Sequence, residues 1–324
     1  MDLQCIQRLS MKLIYNDNAK FNFTSSGKSS IKVIFDYLID KKNINSKFDE
    51  AFVPKYMGTW VYSQLNQVIC TSPVLTDNTK IVYLYHQFGI PQKIDEIFDQ
   101  IDNKKFVIIE DCAHTLGGQY KNYDLGTIGD YSLFSFSKFF NFSMLGGLYS
   151  TDENFIKDSK TKISKSKNSI YYLLNILHFI NFFCKKNSFS EEIVMSLAYS
   201  LYNFSFKPSK NLVRLLKKKI ENETNLRINR LKLVRNELRS YGLLNYDLSE
   251  DLYAAWAIPI IFDNDEKIHE ISRKLKDSNL EMKAMNFDVN RNLLKTNYKK
   301  SLLIDISVEE SILERQLSVI KKNI

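Results

Sequence analysis

Short runs of wholly apolar residues alternate with segments of helical periodicity through the first half of the chain, and this alternation limits the possible folds most strongly. The runs that we predict as strands are residues 81–86, 106–110, 131–136 and 147–150, with a shorter strand ending at 52–54. Strands that are apolar throughout, not at alternate positions, are typical of a parallel sheet covered on both faces. The pattern predicts an α/β domain with a mostly parallel central sheet flanked by helices.

The segments between these runs have apolar residues at helical spacing, which predicts helices over 29–39, 61–68 and 94–101. From residue 157 to residue 244 the pattern is helical, with a long basic segment at its end. The remaining residues mix a strand pattern at 256–262 with two helical patterns. We predict a large domain over residues 1–225 and a small α+β domain over residues 226–324.

Length and cysteine content set the class of protein. A chain of 324 residues builds a core that needs no disulfide or metal to stabilise it. Its 44% hydrophobic and 25% charged residues exclude wholesale disorder. Cys5, Cys70, Cys112 and Cys184 form no CxxC pair, which predicts reduced, buried thiols in a cytoplasmic protein. The amino end lacks the apolar stretch of a secretory signal.

The net charge of +8 leaves three classes of partner open, namely nucleic acid, anionic lipid and a small anionic substrate. Much of the positive charge alternates with apolar residues at helical spacing over 157–167 and 214–239, which favours solvated helix faces. We predict no nucleic-acid partner, because no nucleic-acid-binding motif is present. A charge-driven anionic-surface or nucleic-acid binder is kept only as a minor alternative.

The one membrane-like stretch, residues 170–184, is shorter than a bilayer span and contains Asn175, His178 and Asn181. We predict a buried or interface helix there, without stable membrane insertion. A helix lying in a membrane interface is the alternative.

Two polar residues follow apolar strands at the edge where an α/β sheet binds its ligand. Asp111 follows the run 106–110, and it is either a structural ion-pair or capping residue or the partner of a cationic ligand nitrogen. Lys138 follows the run 131–136 among several phenylalanines. Taken alone it is more often a lysine that snorkels to solvent, but desolvation would make its amine a nucleophile for carbonyl groups.

A third feature is the string TSSGKSS at residues 24–30, which precedes the first predicted helix. Small and hydroxyl-bearing residues at a helix N-terminus serve either as an ordinary cap or as an anion site. The string lacks the upstream glycine of a Walker loop. A phosphate cradle, a carboxylate and a lysine at successive strand ends are together what pyridoxal phosphate requires.

The run 107–150 resembles the DegT/DnrJ/EryC1/StrS family of sugar aminotransferases, which are fold-type-I pyridoxal-phosphate enzymes. The family pattern of an apolar strand, E-D-x-A-H/Q, G-x-x-G-D, F-S-F, a lysine and a glycine pair is present. The matching residues are Glu110, Asp111, Ala113, His114, Gly126, Gly129, Asp130, Phe134, Ser135, Phe136, Lys138, Gly146 and Gly147. Weaker matches are SSGKSSI, FVPKY and YHQFGIPQKIDEI.

The resemblance implies roles for several side chains. Asp111 would pair with the pyridine nitrogen, and His114 would lie near the phenolic oxygen of the cofactor. Lys138 would be the Schiff-base lysine. Either Trp60 or Tyr56 would stack on the ring, although packing in the core is an equal alternative.

The resemblance also implies a phosphate site. Its contacts would come from Ser135 and from Gly27, Lys28 and Ser29 in the loop that opens the first helix.

The family resemblance implies an aminotransferase that moves an amino group, from L-glutamate, to a nucleotide-linked keto-sugar for amino-sugar or surface-polysaccharide synthesis. It also implies a homodimer. Two alternatives remain. One is a sugar dehydratase relative, although that branch carries His in place of the lysine. The other is a non-catalytic partner or scaffold, because the commonest family position for the lysine is occupied here by Phe140 and the ends of the chain are short.

Overall fold

The computed structural model describes residues 20–324 except 42, 46, 103–104, 141–143, 166–168, 185–187, 202–203, 205 and 247–250. A seven-stranded sheet in the order β1-β9-β8-β5-β4-β2-β3 forms its centre. Its strands are β1 (Phe21–Thr24), β2 (Glu50–Phe52), β3 (Cys70–Ser72), β4 (Thr79–Tyr85), β5 (Val107–Cys112), β8 (Tyr131–Ser135) and β9 (Gly146–Tyr149). In this sheet β9 runs opposite to the other six strands, which confirms the predicted mostly parallel sheet.

The α-helices of the described residues alternate with the strands in the first half and then follow one another. They are α1 (Gly27–Asp40), α2 (Thr59–Asn66), α3 (Ile94–Phe98), α4 (Glu153–Lys165), α5 (Ser169–Cys184), α6 (Ser188–Leu201), α7 (Lys210–Leu238), α8 (Asp265–Asp277) and α9 (Glu310–Lys321). The predicted segments agree with these helices to within a few residues, because each has a face that packs on the sheet or its neighbours.

Two further sheets lie in the described chain. One has the order β10-β6-β7 and the other the order β11-β13-β12. Their strands are β6 (Thr115–Tyr120), β7 (Tyr123–Asp124), β10 (Tyr253–Ala255), β11 (Ala257–Ile261), β12 (Lys283–Asp288) and β13 (Tyr298–Asp305). The sequence predicted β11 alone of these. In β6 the reason is that Gly117 and Gly118 give a weak strand signal, whereas pairing with β10 stabilises the strand.

The predicted domain boundary at residue 225 falls within α7, a continuous helix of 29 residues. One apolar core extends from Val82 and Leu84 of the central sheet to Ile258 and Leu302 of the β11-β13-β12 sheet. The division at residue 225 therefore stays a prediction.

The cysteine prediction is correct for Cys112, a buried free thiol on the central strand β5, and wrong for Cys70. Cys70 is exposed because β3 is the edge strand of the central sheet. Cys5 lies outside the described residues, and so does the side chain of Cys184.

Residues 170–184 form helix α5, as predicted, and no helix among the described residues is long and apolar enough to cross a bilayer. The prediction was a buried or interface helix, and in the structure α5 has one buried face and one exposed face. Leu174 is fully buried against α6, whereas Ile176 and Phe179 are 54% and 66% exposed. The reason is that α5 packs on the protein through one face only.

The close approach of β9 to the N-terminus of α1 positions the candidate site. A Cβ atom at Gly146 would overlap the backbone carbonyl of Ser26, so glycine is required where these segments meet. Because β9 also pairs with β8, the start of α1 is held beside the carboxyl end of β8.

Candidate active site

A pocket of about 340 Å³ lies at the carboxyl ends of β5 and β8, beside the N-terminus of α1. Its lining includes six of the eight predicted site residues, namely Gly27, Lys28, Trp60, Asp111, Ser135 and Lys138. The other lining residues are Ser26, Ile31, Gly58, Val61, Ala113, Leu133, Ser137 and Met195. Parallel strands end at one edge of their sheet, which is why residues far apart in sequence meet here.

Asp111 is the penultimate residue of strand β5 and is 2% exposed. Its Oδ2 accepts a hydrogen bond of 2.7 Å from the Tyr83 hydroxyl, and its Oδ1 accepts one of 2.8 Å from the backbone N–H of Ala113. Burial raises the pKa of Asp111, although these two hydrogen bonds and the charge of Lys138 act in the opposite direction. A carboxylate held in this way is stabilised by a cation placed next to it.

Lys138 ends the short 3₁₀ turn Phe136–Lys138 that follows β8. Its Nζ lies 5.7 Å from the centroid of the Trp256 ring, and its side chain reaches solvent through the pocket. Crowding by protein atoms lowers the pKa of Lys138, as does the charge of Lys283, while the Asp111 carboxylate partly compensates. A lowered pKa leaves more of the amine unprotonated and therefore nucleophilic.

Helix α1 begins with a capping box. The Ser26 hydroxyl accepts from the Ser29 N–H at 3.0 Å, and the Ser29 hydroxyl accepts from the Ser26 N–H at 3.0 Å. The Ser29 hydroxyl also donates to the Ser26 carbonyl at 2.8 Å. Ser29 is fully buried and does not line the pocket, so we omit it from the proposed phosphate contacts. Gly27 and Lys28 remain at the pocket, in the first turn of α1, where N–H groups have no partner within the helix.

Lys28 brings a second amine to the pocket. Its Nζ lies 5.0 Å from the centroid of the Trp60 ring. Burial, and then repulsion from Lys138, lowers the pKa of Lys28 to about 8. An anion placed at the start of α1 would stabilise the protonated form of Lys28.

Of the two aromatic residues considered for stacking, the structure places Trp60 at the pocket, where its side chain is 46% exposed. Tyr56 instead packs edge-on against Tyr298, with ring centroids 4.7 Å apart.

His114 lies behind the pocket lining, not in it. Its Nδ1 accepts hydrogen bonds from the Phe88 N–H at 3.2 Å and from the Tyr85 hydroxyl at 2.8 Å. Its ring stacks on Trp256 at 5.0 Å between centroids. Burial, and then the charge of Lys138, lowers the pKa of His114 well below its usual value. His114 is thus a neutral support, with its proton on Nε2, for the aromatic residue that faces Lys138.

Trp256, between β10 and β11, was not predicted as a site residue. Its backbone N–H donates to the backbone carbonyls of Phe88 and His114, and Arg227 donates to the carbonyls of Ala255 and Trp256 at 3.0 and 3.1 Å. These contacts fix the Trp256 backbone, and the indole ring stacks on His114 beside the Lys138 amine. A lone tryptophan before an apolar strand is no specific sequence signal, so only the fold reveals this position.

Glu110 precedes Asp111 in β5 and is fully buried with His86 and Cys112. Three such side chains within ligand distance of one another resemble a metal site. However, the Glu110 carboxylate accepts hydrogen bonds from the N–H groups of Gly126 and Ile128 and from His86 Nε2. These bonds lower the pKa of Glu110 despite its burial, so the ionised carboxylate anchors the loop before β8.

The motif residues 107–150 lie within a longer match to a known protein family. The model of the DegT/DnrJ/EryC1/StrS aminotransferase family matches residues 71–318, which is most of the chain. The chain belongs to this family. The family match confirms the resemblance seen in the sequence and extends beyond residue 150, where the sequence motifs were no longer recognisable.

Two curated relatives illustrate the range of similarity. The chain is 37% identical over 62 residues to GDP-perosamine synthase of Escherichia coli O157:H7, covering 19% of this chain and 17% of that protein. It is 32% identical over 101 residues to UDP-4-amino-4-deoxy-L-arabinose–oxoglutarate aminotransferase of Shewanella sediminis, covering 31% and 26%. The matched segments thus span about a quarter or less of these relatives.

A solved structure shows that the family likeness extends to the whole fold. The Escherichia coli GDP-4-keto-6-deoxy-D-mannose-3-dehydratase with bound hydrated pyridoxal phosphate superposes with a TM-score of 0.66 at 14% identity. The match covers 99% of this chain and 92% of that one. It confirms the predicted fold-type-I architecture.

Proposed function

We propose that this protein is a pyridoxal-phosphate-dependent aminotransferase that acts on a nucleotide-linked keto-sugar. The observation that carries the proposal is the pocket itself. It holds the Lys138 amine and the buried Asp111 carboxylate, and it is bounded on one side by the N-terminus of α1. Asp111 and Lys138 both lie within residues 71–318, which the family model matches.

The residues of the pocket fit this cofactor. Asp111 is a buried carboxylate whose hydrogen bonds come from one hydroxyl and one N–H, and it would pair with a protonated pyridine nitrogen. The first turn of α1, with Lys28 and the nearby Ser135, would hold the phosphate. When bound, pyridoxal phosphate supplies an electron sink for the carbon that exchanges its amino group.

The chain's own groups would then manage the protons. The lowered pKa of Lys138 would let its Nζ take up the proton that leaves the α-carbon of the amino donor and hold it for redelivery. Asp111 would keep the proton on the ring nitrogen, because a carboxylate next to it favours the charged form. Trp256 would confine the Lys138 amine on one side, since its ring centroid lies 5.7 Å from Nζ.

The names of the relatives support the choice of substrates. GDP-perosamine synthase and UDP-4-amino-4-deoxy-L-arabinose–oxoglutarate aminotransferase point to a nucleotide-linked sugar and to glutamate as the amino donor. The net charge of +8 suits an anionic diphosphate. We further propose a cytoplasmic homodimer that serves amino-sugar or surface-polysaccharide synthesis.

The decisive assay incubates the cofactor-loaded protein with L-glutamate and a panel of GDP-, UDP- and dTDP-linked keto-sugars. We expect equal amounts of 2-oxoglutarate and aminated sugar from at least one substrate. Release of ammonia with a deoxygenated sugar would instead identify a dehydratase. A protein that binds pyridoxal phosphate but turns over no member of the panel and forms no 2-oxoglutarate from glutamate would contradict the proposal and favour a non-catalytic subunit.

The pKa of about 8 for Lys28 predicts a pH dependence of cofactor binding. Lys28 is protonated below this pH and loses its charge above it, whereas a bound phosphate favours the charged form. Affinity for a phosphate-bearing ligand should therefore fall as the pH rises from 8 towards 10, by up to about tenfold per unit. Calorimetric titration with pyridoxamine phosphate is suitable, because that ligand has no aldehyde to react with Lys138.

A matched variant separates Lys28 from other groups that titrate in this range. Lys28→Thr should bind pyridoxamine phosphate more weakly at pH 7, with an affinity that changes little between pH 8 and pH 10. If the variant keeps the pH dependence of the native protein, the titrating group is not Lys28.

A further inference from the structure

Helix α5 exposes a continuous apolar stripe. Leu173, Ile176, Phe179, Ile180 and Phe183 are between 40% and 66% exposed and recur at intervals of three or four residues. Residues at this spacing lie on one face of a helix. The exposed residues are regularly spaced and adjacent, so they are not scattered single surface residues. An apolar face of this extent usually marks a binding surface.

The opposite face of α5 is already used. Leu174 is buried in a small cluster with Met144, Ala198 of α6 and Phe206, and Leu177 packs against the same cluster. The hairpin of α5 and α6 is therefore attached to the protein through its inner face. The exposed stripe remains available for something outside the described chain, and Ile193 and Leu197 of α6, both about half exposed, add to it.

A second pocket, of about 540 Å³, lies where the chain enters and leaves this hairpin. Its apolar floor comes from Phe21 and Phe23 of β1, and its rim carries three lysines: Lys160 near the end of α4, and Lys207 and Lys210 at the start of α7. All three lysines are exposed. None of them forms an ion pair with a carboxylate among the residues that the structure describes.

The surrounding sequence has the same bias. Between residues 157 and 219 there are thirteen Lys and Arg and three Asp and Glu. This segment contains the hairpin and its base, so helix α5 is flanked in sequence by an excess of positive charge. An apolar helix flanked by lysines is complementary to a membrane surface, which has negatively charged headgroups outside and an apolar acyl region beneath them.

We propose that the α5–α6 hairpin binds the surface of an anionic phospholipid membrane. The stripe on α5 lies in the interface between headgroups and acyl chains, and Lys160, Lys207 and Lys210 contact lipid phosphates. This surface binding requires no spanning helix, and α5 has only 16 residues, too few to cross a bilayer. The proposal is independent of the chemistry assigned to the active-site pocket.

Charge favours a membrane over a second copy of this chain. A symmetric pairing of two hairpins would bring the same basic rim together from both copies, and like charges at an interface oppose association. An anionic bilayer instead gains from each lysine near its surface, by an amount that salt reduces.

The test is sedimentation of the full chain with vesicles of phosphatidylcholine alone or mixed with phosphatidylglycerol. We expect binding to the mixed vesicles at least about tenfold stronger than to neutral ones, and weaker in high salt. Phe179→Ser combined with Phe183→Ser should abolish binding, and Lys207→Glu with Lys210→Glu should weaken it by more than about tenfold. The matched controls, Phe48→Ser and Lys276→Glu, change exposed residues elsewhere and should bind as the native chain does.

Size-exclusion chromatography of the same variants excludes a structural artefact. We expect every variant to elute as the native chain does. If the native chain does not sediment with anionic vesicles, or if the phenylalanine pair changes the oligomeric state while vesicle binding persists, the proposal is wrong. In the second case the stripe is a subunit interface.

Discussion

Lys138→Ala should remove the visible absorption band that the native chain forms with pyridoxal phosphate, and should lower kcat for amino transfer by about 10⁴-fold or more. The reason is that Lys138 supplies the amine of lowered pKa at the carboxyl end of β8, next to the Asp111 carboxylate. The measurement is an absorption spectrum with and without borohydride, followed by peptide mapping of the reduced site and by the glutamate assay.

The control for Lys138 is the neighbouring amine. Lys28→Ala should keep the band, because Lys28 is placed at the start of α1 to contact phosphate, and should weaken cofactor binding instead. A band that survives Lys138→Ala and disappears in Lys28→Ala would reverse the two roles. This comparison also tests whether Lys138 is the Schiff-base lysine, since the commonest family position of that lysine is occupied here by Phe140.

Asp111→Asn should lower kcat by about 10²–10³-fold while leaving the cofactor attached to Lys138. Asparagine has nearly the same shape and still accepts from the Ala113 N–H, but it carries no charge to stabilise a protonated ring nitrogen. The measurement is the rate of the half-reaction with L-glutamate by stopped-flow absorption, together with the amount of bound cofactor.

Tyr83→Phe is the matched variant for Asp111. It removes the hydroxyl that donates to Oδ2 at 2.7 Å and keeps the carboxylate, so kcat should fall by about tenfold or less. Removal of this donor should also raise the pKa of Asp111, since the hydrogen bond favours the ionised form. Equal losses in Asp111→Asn and Tyr83→Phe would show that hydrogen bonding, not charge, is the function of Asp111.

Some parts of the site could be predicted because a local pattern encodes them. Asp111 and Lys138 follow apolar strands, and the ends of parallel strands meet at one edge of a sheet whatever the connections between them. The role of Ser29 at the phosphate stays a prediction, since in the structure the capping box uses both the N–H and the hydroxyl of Ser29. A sequence shows which residues can cap a helix, but not which of them remain available to a ligand.

The position of Trp256 could not be predicted, because it depends on contacts between distant segments. Its backbone N–H donates to the carbonyls of Phe88 and His114, and Arg227 donates to the Trp256 carbonyl. No periodicity in residues 250–260 indicates these partners. The same limit applies to helix α5, whose apolar residues surround most of the helix in sequence. Only packing against Met144, α6 and Phe206 divides them into a buried face and an exposed face.

The sequence by itself determined the fold class, the family and the chemical character of the site, because apolar runs, strand-end residues and a local motif are properties of short segments. The tertiary structure decided which of these residues share the pocket, which amines have a lowered pKa, and which apolar surface remains uncovered. Those properties depend on burial and on contacts between segments more than a hundred residues apart, such as Lys138 with Trp256.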